Sequence, residues 1–181
     1  MTQFKFQKAR SKQKETIFSW LDKPHVKEFW DNSPEHREDI LIFLEGRIKQ
    51  STYFNGTFTY WIGSVDNEPF AFIMTAEISE KEDLPEVWRK SLSKKGKTFG
   101  IDFCIGNENY LGKGLAAPTL KGFTEFFQKE NKNVDTFFID PDESNPRATH
   151  VYEKAGFKSV GSFLVEKGAF RGQNSWLMVK N

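Results

Sequence analysis

Tyr110-Leu111-Gly112-Lys113-Gly114-Leu115-Ala116 decides how the rest of the chain is read. Two glycines flank a lysine directly after a β-like run. Apolar positions at Leu115, Thr119, Leu120, Phe123, Phe126 and Phe127 then keep to one face at helical spacing. Glycines at such a junction permit a tight turn and a close backbone approach to a ligand. The first N–H groups of the new helix lack partners and its dipole is positive there, so the turn suits a phosphate. Pro118 agrees, because within the first helical turn its missing N–H leaves no bond unmade. The lysine loop of nucleotide hydrolases is excluded, since no Gly-Lys-Ser/Thr follows a glycine at the required spacing.

Downstream, Asp140-Pro-Asp-Glu-Ser-Asn-Pro-Arg-Ala-Thr-His-Val-Tyr-Glu-Lys-Ala-Gly-Phe157 brackets a second helix. Asn145 is a favoured N-cap, Pro146 fits the first helical position and Gly156 fits the residue after the C-cap. Asn145 and Tyr152 are seven apart, so they share one face, about 10 Å apart along the axis. Residues 98–105 and 134–139 read as strands. Strand, helix, strand, helix across 98–155 implies a parallel pair at the centre of an otherwise antiparallel sheet.

Before that core, residues 4–9 alternate as a short strand. Ser11 is expected to cap a helix to about Leu21, and Ser33-Pro34 opens another whose buried side is Ile40, Leu41, Leu44 and Ile48. Residues 57–65 and 68–78 read as strands joined by a hairpin turn at Asp66-Asn67. Residues 79–97 form a long polar connection, acidic first (Glu80, Glu82, Asp83, Glu86) and basic after (Arg89, Lys90, Lys94, Lys95, Lys97), with a short helix around Trp88. Residues 158–166 and 174–179 close the chain as a hairpin.

The 181 residues suit one domain with a proper core, and 19 Phe and 5 Trp suit an aromatic-lined cleft. A formal net charge of +1 gives no electrostatic case for nucleic acid or an anionic membrane. The single cysteine, Cys104, excludes an internal disulfide and a multi-cysteine zinc site. It reads as a buried small hydrophobe. His25, His36 and His150 show no metal spacing and read as surface or packing residues. No long apolar run or signal-like N-terminus is present, which leads to the expectation of a cytoplasmic protein.

Asn145, Tyr152 and the glycine turn together resemble the acetyl-CoA site of the GNAT N-acetyltransferase superfamily. Trp20-Leu-Asp-Lys-Pro-His-Val-Lys-Glu-Phe-Trp30, Gly100-Ile-Asp102, Leu111-Gly-Lys-Gly-Leu115, Asp140-Pro and Tyr152-Glu-Lys-Ala-Gly-Phe157 are similar, in the same order, to the aminoglycoside 6′-N-acetyltransferase branch. The resemblance implies a single GNAT domain over residues 1–181, of the α/β (α+β) class. Its central sheet would be mixed and mostly antiparallel, with a splayed parallel pair and helices on both faces. It also implies direct transfer of acetyl from acetyl-CoA to a primary amine of a small cationic molecule, with no metal. Backbone N–H groups along 98–105, Phe103, Cys104 and Ile105 among them, would polarise the thioester carbonyl. The turn Leu111, Gly112, Lys113, Gly114, Leu115, Ala116 would hold the pyrophosphate. Asn145 would fix the pantetheine arm, with Ala148 and Tyr152 also on the cofactor side.

Two groups are expected to carry the proton transfers. Asp102, out of character in a strand between Ile101 and Phe103, would attract the ammonium and take its proton, directly or through water. Tyr152, with a pKa near 10, would return a proton to a thiolate whose conjugate acid lies near 8.5. Trp30, Glu77, Trp88, Asp102, Asp140 and Asp142 form the expected acceptor site, tryptophan faces and carboxylates both attracting cations. Turn formation is the competing role for Asp140 and Asp142, because Asp-Pro-Asp is a good turn former. The five positive charges from Arg89 to Lys97 oppose a polycation, where the resembling branch is acid-rich. Two other readings stand: an acetyltransferase of protein N-termini or lysines, and a non-catalytic acyl-CoA-binding module. The expected partners are a small-molecule amine, with no nucleic acid or membrane, for a monomer or homodimer.

Overall fold

The structure is a computed structural model and describes residues 3–181. Seven strands follow the order β1-β2-β3-β4-β5-β7-β6, mostly antiparallel, with β4 and β5 the one parallel pair among the described residues. The chain divides into two compact units: residues up to Thr75 with Phe103–Lys113, and Ala76–Asp102 with Gly114–Asn181.

In the first unit β1 (Phe4–Lys8) pairs antiparallel with β2 (Thr59–Val65), and β2 with β3 (Glu68–Ile78). The expected hairpin is present: Asp66 and Asn67 take φ of 50° and 71°, the left-handed pair that two-residue hairpins need. Helices α1 (Lys14–Leu21), α2 (Pro24–Lys27) and α3 (Pro34–Leu44) bury Ile17, Trp20, Leu21, Val26, Ile40 and Leu44 with Tyr60, Ile62 and Phe72 of the strands.

Two expectations for these helices need correction. Ser11 is not the cap of α1. Residues Ser11–Gln13 form a short 3-10 turn, and the Arg10 N–H donates to Gln13 Oε1 at 2.8 Å. Ile48 is not on a buried face; it is 88% exposed. Helix α3 stops at Leu44, and Gly46 at φ +83° lets the Gly46 and Arg47 N–H groups donate to the Phe43 and Ile42 carbonyls. That double bond closes the helix end, so the helical period does not reach Ile48.

A buried polar network backs this core. Asp39 accepts from Tyr60 Oη at 2.6 Å and from Arg47 at 2.8 Å, and Arg47 also donates to the Phe58 carbonyl. Burial alone would raise the pKa of Asp39. Hydrogen bonds from Arg47, Ser51 and Tyr60, with the Arg47 charge, outweigh burial and hold it below the ordinary value.

The second unit holds the end of β3, α4 (Glu86–Ser91), β4 (Lys97–Ile105) as far as Asp102, α5 (Ala116–Glu130), β5 (Val134–Ile139), α6 (Pro146–Lys154), β6 (Lys158–Leu164) and β7 (Asn174–Lys180). Helix α5 buries Leu120, Phe123 and Phe127, and Phe127 meets Phe137 edge-on with centroids 6.0 Å apart. On α4, Val87 and Trp88 pack with Phe138, Leu177, Val179 and Phe163. The β4–β5 ladder runs from Lys97↔Val134 to Gly100↔Phe138 and stops there, while β4 continues to Ile105. Asp102 therefore stands just past the last paired residue of a parallel ladder.

Candidate active site

The end of that ladder places Asp102 beside Asp140, which follows β5 directly. The Asp102 charge acts on Asp140. The Asp140 pKa is pushed well above its ordinary value, first by burial and then by the Asp102 charge, with a backbone hydrogen bond pulling weakly the other way. Among the described residues no cation contributes to that shift. Parallel pairing explains why residues 38 apart in sequence meet: both lie at the carboxyl ends of adjacent strands, where crevices open in such sheets.

Asp142, the other member of the Asp-Pro-Asp segment, has a turn role. Its Oδ1 accepts from the Ser144 N–H at 2.7 Å and its carbonyl from the Asn145 N–H at 2.9 Å. Glu77 is ion-paired with Lys97 at 2.8 Å, both half-exposed. An acceptor site would have to break that pair to use it.

Helix α6 holds Asn145 and Tyr152 as expected. Asn145 is the N-cap, and its Oδ1 accepts from the Ala148 N–H at 3.1 Å, with Pro146 in the first turn. Gly156, at φ +96°, closes the far end: the Gly156 N–H donates to Glu153 and the Phe157 N–H to Tyr152, each at 3.0 Å. This motif seats the Phe157 ring against Tyr152, centroids 6.4 Å apart. Lys180 adds a clamp, donating to the Ala155 carbonyl at 3.0 Å and to Thr124 Oγ1 at 2.8 Å.

The glycine turn has the geometry its sequence called for. Gly112 and Gly114 take φ of +71° and +69°, and a Cβ on either would meet nothing within 4 Å. Helix α5 opens at Ala116 with no side-chain hydrogen bond capping Leu115, so its first N–H groups keep their donor capacity. Pro118 lies in its first turn. The residues present thus fit a pyrophosphate, the group that the turn is expected to hold.

In the first unit, Phe103, Cys104 and Ile105 finish β4. Here the structure adds residues to which local spacing gives no functional signal. His25 Nε2 donates to the Ile105 carbonyl at 2.9 Å. The Gly106 and Asn107 N–H groups both donate to the Phe70 carbonyl, at 2.9 and 3.1 Å. A Cβ on Gly106 would sit 2.3 Å from the Trp20 indole, so only glycine fits. The signal was present in Lys23-Pro24-His25, but a contact 80 residues away is not readable from spacing.

The two expected tryptophan walls are packing residues here. Trp30 is 6% exposed, inside the core cluster of the first unit and 5.4 Å from Phe72. Trp88 meets Phe138 and Phe163 edge-on, each 5.4 Å between centroids. His36 is buried, with Nδ1 2.7 Å from the Asp31 carbonyl and its ring stacked on Tyr53, the packing role expected of it. Cys104 is partly buried against the same core. Among the described residues no group of three or more His, Cys, Asp or Glu could hold a metal ion.

The profile of the acetyltransferase (GNAT) domain family matches residues 11–165, and the chain belongs to that family. Over 152 residues the chain is 27% identical to the aminoglycoside N(6′)-acetyltransferase type 1 of Klebsiella pneumoniae, covering 84% of this chain and 72% of that protein. The crystal structure of an aminoglycoside N(6′)-acetyltransferase from Legionella pneumophila superposes with a TM-score of 0.73 at 26% identity, covering 97% of this chain and 90% of that one. The aminoglycoside acetyltransferase AAC(6′)-Ib in complex with coenzyme A and kanamycin superposes with a TM-score of 0.74, covering 99% and 95%. At 22% identity that last likeness establishes the fold. The mixed sheet with one parallel pair is the GNAT fold, and the chain is an acetyltransferase of that class.

Proposed function

We propose that this protein transfers acetyl from acetyl-CoA to a primary amine of a small polycation of the aminoglycoside kind. The observation that carries the reading is the Asp102–Asp140 pair. Two neighbouring carboxylates, one with its proton affinity raised by burial and by the other's charge, are relieved together by an ammonium placed between them. The aminoglycoside acetyltransferase relatives support the same acceptor class.

In this reading the turn Leu111–Ala116 holds the pyrophosphate, and the N–H groups of Phe103, Cys104 and Ile105 face the thioester carbonyl. Asn145 spends its Oδ1 on the α6 cap, so its amide nitrogen is what it offers the pantetheine arm. Asp140 anchors the ammonium and Asp102 takes its proton, directly or through water. The neutral amine then attacks the thioester, and the Tyr152 hydroxyl returns a proton to the leaving thiolate. Positioning of the two reactants supplies most of the acceleration, and each proton transfer about 10²-fold or more. The whole chain serves as one catalytic domain, working in the cytoplasm.

The test is a screen of thiol release from acetyl-CoA over aminoglycosides bearing a 6′-amine, polyamines and peptides. Aminoglycosides should be turned over by the parent, and Asp102→Asn should abolish the turnover. Turnover of peptides or polyamines with none of any aminoglycoside would overturn the acceptor assignment.

A further inference from the structure

None of the described residues Pro146–Lys154 of α6 is fully buried, so no core side chain pins this helix along its length. The residues that follow are buried instead: Ala155 and Phe157 are each 2% exposed. Helix α6 is therefore held by its ends, at the start by the Asn145 cap and at the close by residues 155–157. The Ala155 carbonyl and the Gly156 N–H belong to one peptide plane. The Gly156 N–H donates to the Glu153 carbonyl, and Lys180 Nζ donates to the Ala155 carbonyl from the other side, each at 3.0 Å. The plane is thereby fixed at both edges, and the next N–H, that of Phe157, is directed at the Tyr152 carbonyl, also at 3.0 Å.

Lys180 comes to this point from β7, where it pairs with Phe137 of β5. Directly opposed residues share a sheet face. Phe137 meets Phe127 of α5, so the lysine rises on the side that α5 covers. Its second hydrogen bond, 2.8 Å to Thr124 Oγ1, lands on α5, and Thr124 in turn donates to the Lys121 carbonyl at 2.9 Å. One ammonium thus joins the end of the Tyr152 helix to the helix that opens at the glycine turn. A positive charge suits the carbonyl end of a helix. Its burial is unfavourable and lowers the Lys180 pKa, with the Glu125 charge opposing that and the Lys121 charge adding to it. A methionine would fill the same path with no charge to desolvate. On the reading that Tyr152 returns the proton to the leaving thiolate, we propose that Lys180 is a positioning residue. It ties α6 to α5, so that the tyrosine hydroxyl stays where the sulfur of acetyl-CoA arrives.

A double-mutant cycle in kcat tests this role, run with whichever amine the thiol-release screen shows to be turned over fastest. Lys180→Met keeps the length of the side chain and removes both hydrogen bonds. It should lower kcat about tenfold or more with KM for acetyl-CoA little changed, since a misplacement near 1 Å can cost about 10²-fold. In a Tyr152→Phe background the same substitution should change kcat by less than about twofold, there being no hydroxyl left to misplace. Lys180→Arg, which brings back the charge and the donors, should recover most of the loss. Thr124→Val removes the α5 contact alone and should show the same pattern more weakly, which keeps the test open if Lys180→Met does not fold. Equal losses in both backgrounds would make the lysine a general support of the fold and overturn the proposal, as would a parent-like kcat in folded Lys180→Met. If Tyr152→Phe by itself leaves kcat at the parent value, the proton-donor reading falls and this role falls with it. A large loss from Tyr152→Phe with an additive loss from Lys180→Met strikes the positioning role alone.

Discussion

Asp140 binds its proton more tightly in the folded chain than in the unfolded one, because burial and the Asp102 charge raise its pKa above the ordinary 3.8. The sign of the linkage follows: the stabilisation is complete below that ordinary value and is lost as pH rises through the raised one. At neutral pH the side chain therefore works against the fold that carries it. Asp140→Asn, which keeps the shape and removes the charge, should melt about 2–4 °C above the parent at pH 7.5, the shift of a change near 1 kcal/mol. The difference should close as the pH approaches 4, and the variant should acetylate poorly. Melting below the parent at pH 7.5 would mean that a cation within the protein already satisfies the carboxylate. A residue that lowers stability and raises activity is what a cation-binding site requires before its cation arrives.

Helix α6 shows how one element turns local sequence into catalytic geometry. Asn145 and Pro146 start it, Gly156 stops it, and the closing motif presses Phe157 on Tyr152. Because the ring is held by packing, Tyr152→Phe should fold as the parent does. Its kcat should fall about 10²-fold or more with acetyl-CoA affinity little changed; a kcat within about twofold of the parent would remove Tyr152 from the proton path. These brackets were legible in sequence because caps, prolines and glycines act over a few residues. The hairpin at Asp66-Asn67, the glycine turn and the parallel pair were legible for the same reason. Sequence misleads where two local signals compete or a distant contact decides. Gly46 ends α3, although the helical spacing of apolar residues runs on to Ile48. Gln13 rather than Ser11 supplies the side chain at the first cap. Trp30 and Trp88 are expected in the acceptor site, and packing partners far along the chain, which local spacing does not show, hold both rings. Asp102 and Asp140 lie on separate motifs, and the parallel register brings them together.

At the scale of the molecule, the basic half of the 79–97 connection is less positive than its sequence suggests. Lys90 pairs with Glu86, Lys97 with Glu77, and Arg89 donates to the Glu80 carbonyl. Lys94 and Lys95 remain exposed beside them. Replacing both with Gln should raise kcat/KM for an aminoglycoside several-fold, more at 10 mM than at about 150 mM salt, because screening weakens long-range repulsion. An unchanged kcat/KM at low salt would show that these lysines do not act on the acceptor. A last consequence follows from the Asp39 network. Its folded pKa is lowered, so its contribution is present above the ordinary carboxylate value and drains away as pH falls through the lowered one. Asp140 does the reverse. The first unit thus carries its titrating weakness on the acid side and the second on the alkaline side, and a melting profile followed across pH should change character from one end to the other, with a different half of the chain as the fuse.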